Sequence, residues 1–115
     1  MTSPKTAAAL EKLTAIKRQK AEQEMLTLQA ELRRMEDSLA ALGADLSGLD
    51  TPGAGADMTA LAYQQGRLTR LIAEIRQKQA ALPGQQAAAD AAREALKRAL
   101  YSEDQIARLL GASRP

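Results

Sequence analysis

The chain has no cysteine and no histidine. Without thiols there is no disulfide framework and no thiolate nucleophile. Without imidazole, the commonest general base and metal ligand is missing. Nucleophile–base pairs built on either residue are therefore excluded. Phenylalanine and tryptophan are also absent, which leaves Tyr63 and Tyr101 as the aromatic residues. A compact globular core draws much of its volume from aromatic side chains, whereas the thin seam between coiled helices does not need them. No stretch approaches the ~18 consecutive apolar residues of a membrane span, and the N-terminus has no apolar core of signal-peptide length. The expectation is a soluble cytoplasmic protein that reaches the cytoplasmic face of the inner membrane only through its partners.

What the chain does have is a seven-residue repeat. Met25, Leu28, Leu32, Met35, Leu39, Leu42, Leu46 and Leu49 are spaced 3, 4, 3, 4, 3, 4 and 3 apart. That is a heptad with both seam positions filled, the pattern of a helix burying one narrow stripe against another helix. A second stripe follows, with Leu61, Leu68, Ile75, Leu82, Ala89 and Leu96 each seven apart and Leu71, Ala92, Ala99 and Ile106 at alternate partner positions. Two such helices around a Gly/Pro-rich break read as an antiparallel hairpin. The fold class expected is all-α, a single long two-helix coiled coil over 1–115, with helices at about 4–49 and 58–110 and a turn at 50–57.

Ser3-Pro4 suits the start of the first helix, which at 1.5 Å per residue would be about 70 Å long. Leu10, Leu13 and Ile16 do not fit the register of the Met25 stripe, which carried backwards meets Ala21, Arg18, Thr14 and Glu11. A register shift or a loose seam is expected there. Gly43, Gly48, Thr51, Pro52, Gly53 and Gly55 mark the turn, with Asp57 or Thr59 as cap of the second helix. Pro83-Gly84 should kink that helix, yet the spacing from Leu82 to Ala89 keeps the seam in phase. Folding at 50–57 would set Pro83 opposite Met25, giving a firm distal half, residues 25–82, and a looser basal half rich in seam alanine. Ser102-Glu103-Asp104-Gln105 has the form of a capping box, but Leu96, Ala99, Ile106 and Leu110 favour one continuous helix.

Charge is uneven along a chain of net +2. Residues 1–20 are basic and residues 21–50 acidic, and the second helix holds Arg67, Arg70, Arg76 and Lys78, so the helices should attract each other across the seam. The carboxylates Glu22, Glu24, Glu36 and Asp37 read as solvated faces, because a two-helix rod offers no cleft to shift their pKa values. No catalytic residues, metal site, cofactor or small-molecule substrate are expected. Lys12, Lys17, Arg18 and Lys20 with Arg93, Lys97 and Arg98 form a basic end. It lacks the aromatic platform of an RNA-binding arm, so nucleic acid is disfavoured as a partner. Lys78 and Gln64 on the seam suit a thin, partly exposed hairpin.

The plan resembles the FliJ family of flagellar export stalk proteins and their type III secretion counterparts. They share a single hairpin of two long helices, a basic N-terminal segment and a polar turn near the middle. Tyr63-Gln64-Gln65 is similar to a Tyr-Gln-Gln in some members, although Gly66 stands where those members carry an aromatic residue. The resemblance implies a stalk and chaperone that inserts its paired ends into a hexameric export ATPase and offers its distal end to the export gate. It implies ATPase contacts at Lys12, Lys17, Arg18, Arg93 and Lys97, and gate contacts at Tyr63, Gln64, Gln65 and Arg67. A stalk should be a monomer. The alternative is a homo-oligomerising scaffold in which two hairpins pair.

Overall fold

A computed structural model describes residues 3–49 and 57–113. It is all-α, with α1 at Pro4–Ser47 and α2 at Met58–Ser113 packed as an antiparallel hairpin. The expected turn falls almost wholly on residues 50–56, which lie outside the described residues. Both helix starts follow from short polar side chains. Ser3 Oγ accepts the Thr6 amide at 3.1 Å, and the Ser3 carbonyl accepts the Ala7 amide at 2.9 Å. Asp57 Oδ1 accepts the Ala60 amide at 2.8 Å, and its carbonyl accepts the Leu61 amide at 3.1 Å. Each cap satisfies an amide that the helix cannot, worth about 1 kcal/mol. α1 runs out in a turn where the Gly48 amide reaches the Ala44 carbonyl at 2.9 Å.

α2 passes through Pro83, Gly84 and Tyr101 without a break. Proline in a helix interior removes one backbone bond and crowds the preceding turn. The covered positions stay in phase across it, with Lys78 and Leu82 before the interruption and Gln85, Ala89 and Ala92 after it. Glu103 does not cap a new helix; it lies inside α2 and turns towards α1.

The register of α1 corrects the expectation for its first half. The Met25 repeat continues back to Ala7 without a shift, and its covered residues there are Glu11, Thr14, Arg18 and Ala21. Leu13 and Ile16 instead stand 47% and 50% exposed. Apolar character alone did not choose the buried face.

The chain divides into two compact units. One joins Met1–Ala30 to Ala87–Pro115; the other is Glu31–Gln86. Arg18 meets Glu103, and counting from that pair sets Met25 near Leu96 within the first unit rather than near Pro83. The first unit contains the Ala-rich seam that was expected to be the looser one. The buried core residues are Ala89 at 1%, Ala92 at 7% and Leu110 at 5% exposed, all in the first unit. Small seam residues let two helices approach closely, and close approach excludes water more completely than the half-covered leucines of the second unit. In that second unit, among the described residues, Leu61 is 40% exposed, the other seam side chains are partly covered and none is buried.

Candidate interaction surfaces

In the first unit the seam contains a polar layer. Arg18 Nε donates to Glu103 Oε1 at 2.9 Å and to Oε2 at 3.1 Å, while its Nη1 donates to Glu22 Oε2 at 2.9 Å. The side chains of Arg18 and Glu103 are 25% and 32% exposed. The hydrogen bond and the charge of Glu103 hold the Arg18 guanidinium above its ordinary range, with Glu22 adding a smaller pull. Thr14, one turn earlier, turns its hydroxyl back to the Leu10 and Glu11 carbonyls, both at 3.0 Å, and so occupies a seam position without needing a partner from α2.

The basic residues read from the sequence are not equivalent. Arg18 is spent inside the seam. Arg93 pairs with Asp90 at 3.4 Å and Lys97 with Glu94 at 3.2 Å, both on the surface of α2, and Arg108 pairs with Asp104 at 3.0 Å. Lys12, Lys17, Lys20 and Arg98 are exposed and make no ion pair among the described residues. The structure therefore brings Lys12, Lys17, Arg93 and Lys97 onto one unit and sets Arg18 in the seam of that unit, paired with Glu103. Glu103 was the residue that sequence reasoning missed. It stands seven residues from both Leu96 and Leu110, so counting the repeat would have put it on the seam.

In the second unit Tyr63 is 65% exposed, and Gln65 and Arg67 are exposed beside it, whereas Gln64 is partly covered on the seam. Tyr63, Arg67, Arg70, Leu71 and Glu74 line an open groove of roughly 300 Å³. Spacings of four, three and four residues put Tyr63, Arg67, Arg70 and Glu74 along one face. The expected attraction between the acidic part of α1 and this basic part of α2 is not realised as contacts. Among the described residues Arg67, Arg70, Arg76 and Lys78 form no ion pair. The seam of this unit carries a polar fault, because the Oε1 of Gln85 is buried with no hydrogen-bond partner.

Among the described residues no group of three carboxylates converges closely enough to hold a metal ion. No described helix is long and apolar enough to cross a membrane. Comparison with protein-family models, with curated proteins and with solved structures finds no match.

Proposed function

We propose that this chain is a non-enzymatic coiled-coil stalk and chaperone of a flagellar (type III) protein export apparatus. It acts in the cytoplasm, at the inner membrane through its partners. In this reading the unit formed by Met1–Ala30 and Ala87–Pro115 docks the export ATPase, and Tyr63, Gln65 and Arg67 on the other unit meet the export gate. The observation that carries the reading is the pairing of the N-terminal part of α1 with the C-terminal part of α2 in one unit that displays exposed Lys12, Lys17, Arg93 and Lys97. A paired-helix end with basic side chains has the form of a shaft that seats in a ring of subunits.

The test is co-sedimentation with the export ATPase of the same organism, with ATPase rate read in the same tubes. Binding with a raised rate, lost in Lys17→Glu, supports the stalk. Absence of both binding and stimulation removes it. Arg18 is not a suitable probe, because its loss also breaks the seam.

A second reading, a self-pairing scaffold, is favoured by one observation: no described residue of Glu31–Gln86 is buried. A half-covered seam gains stability from a second hairpin packed against it. Sedimentation equilibrium separates the two readings, since the scaffold requires a dimer and the stalk works as one hairpin.

A further inference from the structure

Three consecutive residues of α2 each weaken it in a different way. Pro83 has no amide to give to the turn before it, and its ring crowds that turn. Gly84 follows, and a helical glycine is the residue with the most backbone freedom to regain on leaving the helix. A Cβ at Gly84 would meet nothing within 4 Å, so no close approach calls for a glycine there. Gln85 comes next, with its Oε1 buried and without a donor.

The seam around them is thin as well. Over residues 78–86 the seam positions are Lys78, Leu82 and Gln85, all partly covered, and Leu82 is the apolar one of the three. Lys78 makes no ion pair among the described residues. The stretches on either side are better built. Leu68, Leu71 and Ile75 fill successive seam positions before it, and Ala89 and Ala92 are buried after it. The second unit ends on α2 at Gln86, so the weak stretch closes that unit. α1 has no counterpart, since residues 5–42 contain neither proline nor glycine.

We propose that residues 78–86 of α2 are a joint, a stretch that opens locally while α1 stays helical and the turns of α2 on both sides keep their packing. In a two-helix rod each turn is held by its own helix and by the helix beside it, so an opened stretch need not take its neighbours with it. Opening is easiest here for three reasons. The bond that Pro83 lacks is not there to break, Gly84 regains the most conformational freedom, and the Gln85 oxygen recovers water. The result is a hairpin with one unbroken strut and one that yields at a fixed place. The proposal concerns the free chain, so it stands apart from the stalk and scaffold readings.

The test is native-state amide hydrogen exchange of the full-length chain at neutral pH, read residue by residue by NMR and corrected for intrinsic rates. Far-UV circular dichroism first establishes that each variant is folded. The amides of 80–82 and 84–87 should exchange about tenfold or more faster than those of 71–76 and 92–98. Pro83→Ala with Gly84→Ala should slow these fast amides about tenfold and leave both flanking stretches within about twofold. Gly66→Ala, at a helical glycine of the same unit outside the stretch, should leave the joint unchanged. Equal protection of the three stretches overturns the proposal, and the native chain alone decides that. So does a double variant that leaves the fast amides fast, or one that slows the flanks as much as the joint. Slowing of the joint by Gly66→Ala overturns it too, because the whole unit would then be opening together.

Discussion

Arg18 on α1 and Glu103 on α2 meet through Nε at 2.9 and 3.1 Å from the two carboxylate oxygens, 85 residues apart in the chain. The pair occupies a seam position on both helices, where a leucine would ordinarily sit. A buried or half-buried charge pair is a poor source of net stability but a good source of register, because a slip of one turn strands both charges. It therefore sets the alignment of two seams that are otherwise poor in large side chains at this level.

Removing one partner should cost more than removing both. Glu103→Ala and Arg18→Ala should each lower the thermal midpoint. The exchange Arg18→Glu with Glu103→Arg should recover much of the loss, and thermal melts followed by circular dichroism check it. The hydrogen bond and the charge of Glu103 hold the guanidinium above its ordinary range. The sign follows directly: a raised folded-state pKa stabilises at every pH below the unfolded value, so the Arg18 contribution stays constant through the neutral range. A midpoint loss in Arg18→Ala that disappears between mildly acid and mildly alkaline pH would contradict this.

The hairpin itself was legible, and the reason is local. Met25 to Leu49 repeats without a miss, and a repeat of that length has one structural solution. The polar layer was not legible as structure, although its members were on the extrapolated register. Arg18 and Thr14 look unfit for a seam until their partners are known. Thr14 satisfies itself through the Leu10 carbonyl, a local bond, but Arg18 depends on a carboxylate from the other helix. Which residues face each other depends on how far one helix is offset along the other, and neither helix encodes that offset alone. For the same reason Pro83 was set against Met25, a pairing that requires symmetric folding about the turn. Nor does the sequence separate paired from unpaired cations, because Lys97, which meets Glu94, and Lys17, which makes no ion pair among the described residues, look alike in one dimension.

The close seam of the first unit makes a sharp packing prediction. Ala89 and Ala92 are buried where the helices approach, and their neighbour Ala91 is exposed. Ala89→Leu should destabilise by about 1–3 kcal/mol, because the added branch has no space without pushing the helices apart. Ala91→Leu should stay within about 0.5 kcal/mol. Ile16→Ala should also be nearly silent, whereas Leu110→Ala should cost about 2 kcal/mol or more. Urea unfolding of the four variants measures this, and an Ile16→Ala loss as large as that of Leu110→Ala would refute the register.

Pro83 and the helical glycines are places where the chain is less stable than its backbone permits. Adding a Cβ at Gly43, Gly66, Gly84 or Gly111 meets nothing within 4 Å, and none of these four has a positive φ. Each Gly→Ala change should therefore stabilise by about 0.5–1 kcal/mol. Pro83→Ala restores a helical amide and removes a steric clash, and should gain on the order of 1–3 kcal/mol. Thermal melts check each one. If Pro83→Ala raises the midpoint but weakens partner binding, the proline is retained for function. If it lowers the midpoint, the surrounding packing depends on the proline ring.

The buried Oε1 of Gln85 is the clearest fault in the second unit, since it has lost water and found no donor. An acceptor in that state costs about 1–3 kcal/mol, and its neighbours along the seam of α2 include Leu82 and Ala89. Gln85→Leu removes the orphan and adds apolar contact, so it should raise stability by about 1 kcal/mol, while exposed Gln86→Leu should change it by no more than about 0.5. Urea unfolding decides the stability, and sedimentation equilibrium on the same samples decides what the glutamine is for. A polar seam residue that costs stability is best kept when it prevents something, here the tighter self-association that an all-leucine seam invites. Gln85→Leu should then be both more stable and more prone to pair with a second copy. A stable variant with unchanged mass would mean that the glutamine guards nothing and that the second unit merely tolerates its loss.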